Sequence, residues 1–173
     1  MSIKTILTCL TDQQTADAVL RASALLARRH SAHVIGLHTV EALIVHPGIA
    51  MHVPDTVFAA YGQSQKEQSA ALKAVFEKHV HAEDLLAEWR VVKSQSETAV
   101  ERIVESAQCA DLVVLPAVGS DAQHNGHARL LEAVIRDGGR PALVVPKEFK
   151  AESLGQDILI GWNGTREAVR VAH

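Results

Sequence analysis

The sequence predicts an α/β fold: a five-stranded parallel open sheet, Rossmann-like, with helices on both faces. Three observations lead there. Short apolar runs alternate with helix-length segments of 3.6-residue period, giving the pattern β-α-β-α-β-α-β-α-β. One run, Asp111-Leu112-Val113-Val114-Leu115-Pro116, is apolar without alternation, as a central strand covered on both faces must be. The chain has 173 residues, 47% of them hydrophobic, which is enough for the core of one domain.

Each element follows from its local pattern. Residues 3–10 alternate weakly between polar ends and read as the first strand. From Thr15 the period becomes helical through Ala18, Leu20, Ala22, Leu25 and Leu26. Arg28-Arg29-His30 then place positive charge where the helix dipole favours it. His33 to Val40 is the second strand, and residues 41–56, with Pro47, Gly48 and Pro54, form a long loop. A long helix covers residues 57–80 and a third strand residues 86–93. Ser96 or a near neighbour caps the next helix, whose apolar stripe is Thr98, Ala99, Ile103, Val104 and Ala107. After the fourth strand, residues 117–126 form a polar loop. A helix over 127–137 ends at Gly138-Gly139, and Pro141 to Val145 is the fifth strand.

The chain then repeats itself. Ile158-Leu159-Ile160-Gly161-Trp162-Asn163, a turn, and Arg166-Glu167-Ala168-Val169-Arg170-Val171-Ala172 match Ile6 to Thr11 and Ala16 to Ala22. The offset is about 150 residues, one domain's length. The expected organisation is a domain over 1–146, a charged linker over 147–156, and the start of a second copy over 157–173. That last segment is a strand plus part of a helix, which cannot bury its own apolar face and must dock or stay disordered.

Composition excludes several roles. A formal charge of -3 leaves no basic stripe for nucleic acid. No apolar run reaches the length of a transmembrane helix, and the start shows no signal-peptide pattern. Cys9 and Cys109 stand outside any CxxC spacing and are expected as buried free thiols. The expected location is the cytoplasm, with no membrane partner. In open parallel sheets ligands bind at the carboxyl ends of the strands, where strand order reverses. Here the turns after strand 1 (Thr11, Asp12), strand 2 (Thr39, Val40) and strand 4 (Pro116 to Gly126) build that corner.

These residues together resemble the universal stress protein family. Ile6-Leu7-Thr8 opens the chain, Asp111 to Leu115 precedes a glycine-containing loop, and Gly139-Arg140-Pro141-Ala142-Leu143-Val144-Val145-Pro146 closes the domain. Ile158 to Ala168 resembles the opening of the second half in tandem members. The resemblance implies strand order 3-2-1-4-5 and dimers formed through the fifth strands. It also implies a nucleotide cleft marked by G-x2-G-x9-G-[S/T] after strand 4, where bare backbone approaches phosphate. This chain departs from that pattern. Pro116-Ala117-Val118-Gly119 keeps only the final glycine, and Arg129-Leu130 stand at the glycine-hydroxyl pair. The family's aspartate after strand 1 falls on Thr11, with Asp12 one residue later. The candidate cleft therefore comprises Thr11, Asp12, Thr39, Val40, Gly119, Ser120, Asn125 and Gly126.

No catalytic set is legible: there is no G-x-S-x-G elbow and no Walker lysine loop. Ser120, Asp121 and His124 are neighbours in sequence only. His124 and His127 lack the further ligands a zinc site needs, so no metal is expected. The expected function is a non-enzymatic stress-response module acting through dimerisation and protein partners, with a degenerate cleft and no resident cofactor. The alternative is an ATP- or AMP-binding switch with slow hydrolysis. A further reading takes Met51, Val53, Phe58 and Tyr61 as the lining of a site for a lipid-like or aromatic molecule.

Overall fold

The computed structural model describes residues 2–41, 43, 45, 48, 52–94, 98–118 and 125–172, without the side chains of 125–127 and 170–172. Among the described residues five strands and five helices follow one another: β1 (Thr5–Cys9), α1 (Gln13–His30), β2 (His33–Glu41), α2 (Asp55–Ala82), β3 (Ala87–Ser94), α3 (Ala99–Gln108), β4 (Leu112–Pro116), α4 (Asn125–Asp137), β5 (Ala142–Val145) and α5 (Arg166–Ala172). The strands form one sheet in the order β3-β2-β1-β4-β5, every pair parallel. The expected fold class and strand order are both present.

Alternation along the strands divides the interior into two layers. Ile6, Val34 and Val114 face α1 and α2, where Val19, Leu72 and Phe76 meet them. Leu7, Leu37, Val113 and Leu115 face α3 and α4, where Ile103, Leu130 and Val134 meet them. All five residues of β4 are buried, so its unbroken apolar run is the mark of a strand with two covered faces.

Local signals fix the ends of the helices. Asp12 caps α1, its Oδ1 accepting from the Thr15 amide at 2.9 Å and its Oδ2 from the Thr15 hydroxyl at 2.9 Å. Thr98, rather than Ser96, caps α3. Its hydroxyl accepts from the Glu101 amide, and the Glu101 carboxylate accepts from the Thr98 amide at 2.7 Å, a complete capping box. Ser96 lies outside the described residues. Helix α4 starts at Asn125, two residues before the expected His127, and stops where Gly139 takes φ +61°. At the opposite end of the sheet, Asp111 Oδ2 accepts from the Lys4 and Thr5 amides at 2.8 and 2.9 Å, tying the start of β4 to β1.

Two expectations need revision, the burial of Cys109 and the strand at 158–162. Cys9 is buried, but Cys109 is exposed, because it sits just past the last turn of α3 rather than on its inner stripe. The 147–156 segment lies against the domain: Phe149 and Leu154 pack on the core under α1, and Lys147 Nζ donates to Gln14 Oε1 at 2.8 Å. Residues 158–162 do not form a strand. Their counterpart β1 is hydrogen-bonded on both sides, whereas this run pairs with no strand among the described residues, and Leu159 is 98% exposed. The helical half of the repeat does form, as α5. Thr165 opens it, donating its amide and hydroxyl to Asn163 Oδ1 at 3.1 and 2.9 Å.

Candidate functional site

The carboxyl ends of β1 and β2 open into a cavity of about 260 Å³. Thr11 lies on its floor after β1, and Thr39 and Glu41 come from β2. Gln65 and Gln68 reach it from α2, with Gln68 Nε2 donating to the Thr11 carbonyl at 3.4 Å. Ala99, Val100, Ile103 and Leu130 give it an apolar wall.

His38 anchors the corner from beneath. Its ring is 2% exposed and stacks on Trp89, with centroids 6.2 Å apart and planes 17° from parallel. Nδ1 lies 3.0 Å from the Leu10 carbonyl. A carbonyl only accepts, so Nδ1 carries a proton. The buried Nε2 has no hydrogen-bond partner among the described residues.

The sequence-derived cleft residues separate into groups. Thr11 and Thr39 meet in the cavity. Asp12 does not line it, since both carboxylate oxygens hold the first turn of α1. Val40, one residue beyond Thr39, projects to the other face and lines a second groove. Asn125 and Gly126 open α4 and belong to its first turn, not to the preceding loop. Gly119 and Ser120 lie outside the described residues. Sequence reasoning missed His38, Glu41, Gln65 and Gln68. The one available signal was the spacing of Gln65 and Gln68, which places both on one face of a helix.

At the end of β4, the backbone is committed to the sheet. Pro116 has no N–H, and the Ala117 amide donates to the Val145 carbonyl at 2.8 Å. Leu130, where the resemblance expects a hydroxyl, is 4% exposed and part of the core. Among the described residues, no group of three His, Cys, Asp or Glu side chains converges as metal ligands, and no helix is long and apolar enough to cross a membrane.

Solved structures share this architecture. The chain has the universal stress protein fold. A universal stress protein family member from Burkholderia pseudomallei is 22% identical, with a TM-score of 0.59, 84% of this chain and 97% of that one being covered. Universal stress protein UspA from Lactobacillus plantarum is 18% identical, with a TM-score of 0.63 over 84% and 99% of the two chains. The universal stress protein from Archaeoglobus fulgidus, in complex with dAMP, is 19% identical, with a TM-score of 0.53 over 84% and 99%. No family model and no curated protein matches the sequence.

Proposed function

We propose that this chain is a member of the universal stress protein family whose domain works by association rather than catalysis, and whose nucleotide cleft has lost its phosphate corner. The observation that supports this reading is the use of the backbone at the end of β4. Phosphate binding in such a corner needs free amides and close backbone approach. Here the first position has no amide, and the second already donates to Val145. Asp12, the carboxylate after β1 that the resemblance would bring to the adenine side, is held by Thr15. The sequence offers no nucleophile and base in a recognisable set, which accords with a non-enzymatic role. A cytoplasmic setting suits two unpaired thiols, one of them exposed.

The partner surface we put forward is the outer edge of β5. This strand ends the sheet, pairs only with β4 and is partly exposed along Ala142–Val144. The 157–173 segment, read as the start of a second domain copy, is a second candidate for docking. Native mass spectrometry of the purified protein reads subunit number and retained nucleotide together. A homodimer without nucleotide is the expected species. Calorimetry with ATP, ADP and AMP tests the cleft: dissociation constants weaker than about 100 μM are expected, and a low-micromolar value overturns the reading.

A second reading, a nucleotide-binding switch, has its own support. Thr11, Thr39, Gln65 and Gln68 bring uncharged donors and acceptors to one small cavity, a set suited to the edge of a base. A protein of the same fold holds dAMP. Millimolar AMP that raises the melting temperature selects this reading; an unchanged melting point rejects it.

A further inference from the structure

Helix α2 does not lie flat on the sheet. Its C-terminal half is seated by Leu72 and Phe76, both buried, with Phe76 against Trp89 at a centroid distance of 5.4 Å. Its N-terminal half stands away, and no residue from Asp55 to Ala71 is buried. The separation leaves a groove of about 700 Å³ between α2 and the edge formed by β2 and β3. That volume falls within the range of small-molecule sites, about 300–1,000 Å³.

The lining follows from two periodicities. Phe58 and Tyr61 lie on the helix face that looks at the sheet, and Trp89 and Val91 point up from alternate positions of β3. Phe58 is 38% exposed and Val91 40%, so this apolar surface has no cover among the described residues. Tyr61 donates its hydroxyl to the Glu41 carbonyl at 3.2 Å, which fixes one wall. Lys66, Lys73 and Lys93 complete the lining, against the single carboxylate of Glu41. Lys66 and Lys93 have no ion pair among the described residues, and Lys73 has only an exposed 3.5 Å contact with Glu77. A chain of formal charge -3 thus presents a local excess of positive charge around an apolar trough.

We propose that this groove binds a single-chain amphiphilic carboxylate, its hydrocarbon in the aromatic trough and its head among the three lysines. The charge excludes a purely apolar occupant as the best fit, because three ammonium groups beside an apolar ligand gain nothing from it. The groove adjoins the cavity after β1, sharing Glu41 and Gln65 with it, but the proposal does not depend on whether that cavity takes a nucleotide.

Trp89 is a built-in reporter. The sequence has two tryptophans, so Trp162→Phe leaves Trp89 alone to report on the groove. Laurate below its micellar concentration, titrated into this variant, is expected to shift the emission saturably, with half-saturation below about 100 μM. Dodecanol, with the same chain and no charge, is expected to bind about tenfold more weakly. Replacing exposed Lys66 and Lys93 together by Gln is expected to erase that difference while leaving the circular dichroism spectrum unchanged. Phe58→Asp is expected to weaken both ligands. No saturable response, equal binding of laurate and dodecanol, or indifference to the lysine changes each overturns the proposal. So does emission that changes with protein concentration alone, which places a second copy of the chain in the groove.

Discussion

Gly36 sets how closely α2 can approach the sheet. It lies in β2 directly beneath Phe76, and a Cβ built there falls 2.6 Å from two ring carbons and 3.1 Å from Cε3 of Trp89. Carbon atoms rest about 3.5–4.0 Å apart, so the Phe76 contact is roughly 1 Å too short. The ring is 3% exposed and borders Leu72, which is fully buried, so it has little room to withdraw. Overpacking of this kind costs about 1–3 kcal/mol. The better strand propensity of Ala over Gly returns about 0.5–1 kcal/mol. Gly36→Ala is therefore expected to destabilise by up to about 2.5 kcal/mol, lowering the melting temperature by up to about 10 °C for a domain of this size. Urea unfolding followed by circular dichroism measures it. The decisive comparison is the same change in a Phe76→Leu background, where the ring is gone. There Gly36→Ala is expected to be neutral or stabilising, a coupling of at least about 1 kcal/mol across the pair. Equal effects in the two backgrounds refute the steric account.

Three further outcomes follow. Thr98→Ala removes one half of the α3 capping box and is expected to cost about 1 kcal/mol in the same urea assay, with Thr98→Ser close to neutral. The Lys4 and Thr5 amides hold the Asp111 carboxyl below its usual value, so its contribution is present above the unfolded value and is lost as pH falls through the folded one. In Asp111→Asn the loss of stability on acidification below about pH 4 is expected to be shallower than in the parent, measured as urea midpoint against pH. Burial pushes the Cys9 thiol up to about 12 while Cys109 is exposed, so a thiol-specific reagent at mild alkaline pH is expected to modify one cysteine per native chain and two after denaturation. Peptide mapping identifies the first as Cys109, and rapid native labelling of Cys9 contradicts the buried position of β1.

What could be read from the sequence was what depends on local pattern. The unbroken apolar run of β4, the helical period after Thr15 and the glycines after Asp137 each carry their own physical cause, and each lies where that cause puts it. Strand order came from the resemblance, because periodicity says which face of a strand is buried and nothing about its neighbour. Two caps are written in the sequence as Asp12-x-x-Thr15 and Thr98-x-x-Glu101: the second is a near neighbour of Ser96, as the pattern predicts, and the first takes up a residue that the resemblance points to as a ligand contact. The strand expected at 158–162 failed for a different reason. A helix satisfies its own backbone, so α5 forms alone, but a strand needs a partner, and none pairs with 158–162 among the described residues. The outward splay of α2 was illegible, since an amphipathic helix of weak pattern does not state its distance from the sheet. The grouping of Gln65 and Gln68 with Thr11 depends on that distance.

The same accounting bears on the cleft. A polar group can serve a ligand only if the fold has not already claimed it. In this chain the carboxylate beside β1 and the first amide after Pro116 are both claimed, one by the N-terminus of α1 and the other by β5. Releasing Asp12 toward a ligand leaves the first amides of α1 uncapped, at about 0.5–2 kcal/mol. Releasing the Ala117 amide breaks the last bond between β4 and β5, a four-residue edge strand with few others. A nucleotide bound in the usual way therefore has to offset local unravelling at both ends of its site. The neutral groups around Thr11 and Thr39 carry no such penalty, apart from the Gln68 contact at 3.4 Å. Base-like ligands lacking phosphate are accordingly expected to lose less affinity here, relative to their nucleotides, than in a cleft whose amides are free. Adenosine binding at least as tightly as ATP is the calorimetric signature of that argument, and a strong preference for ATP contradicts it.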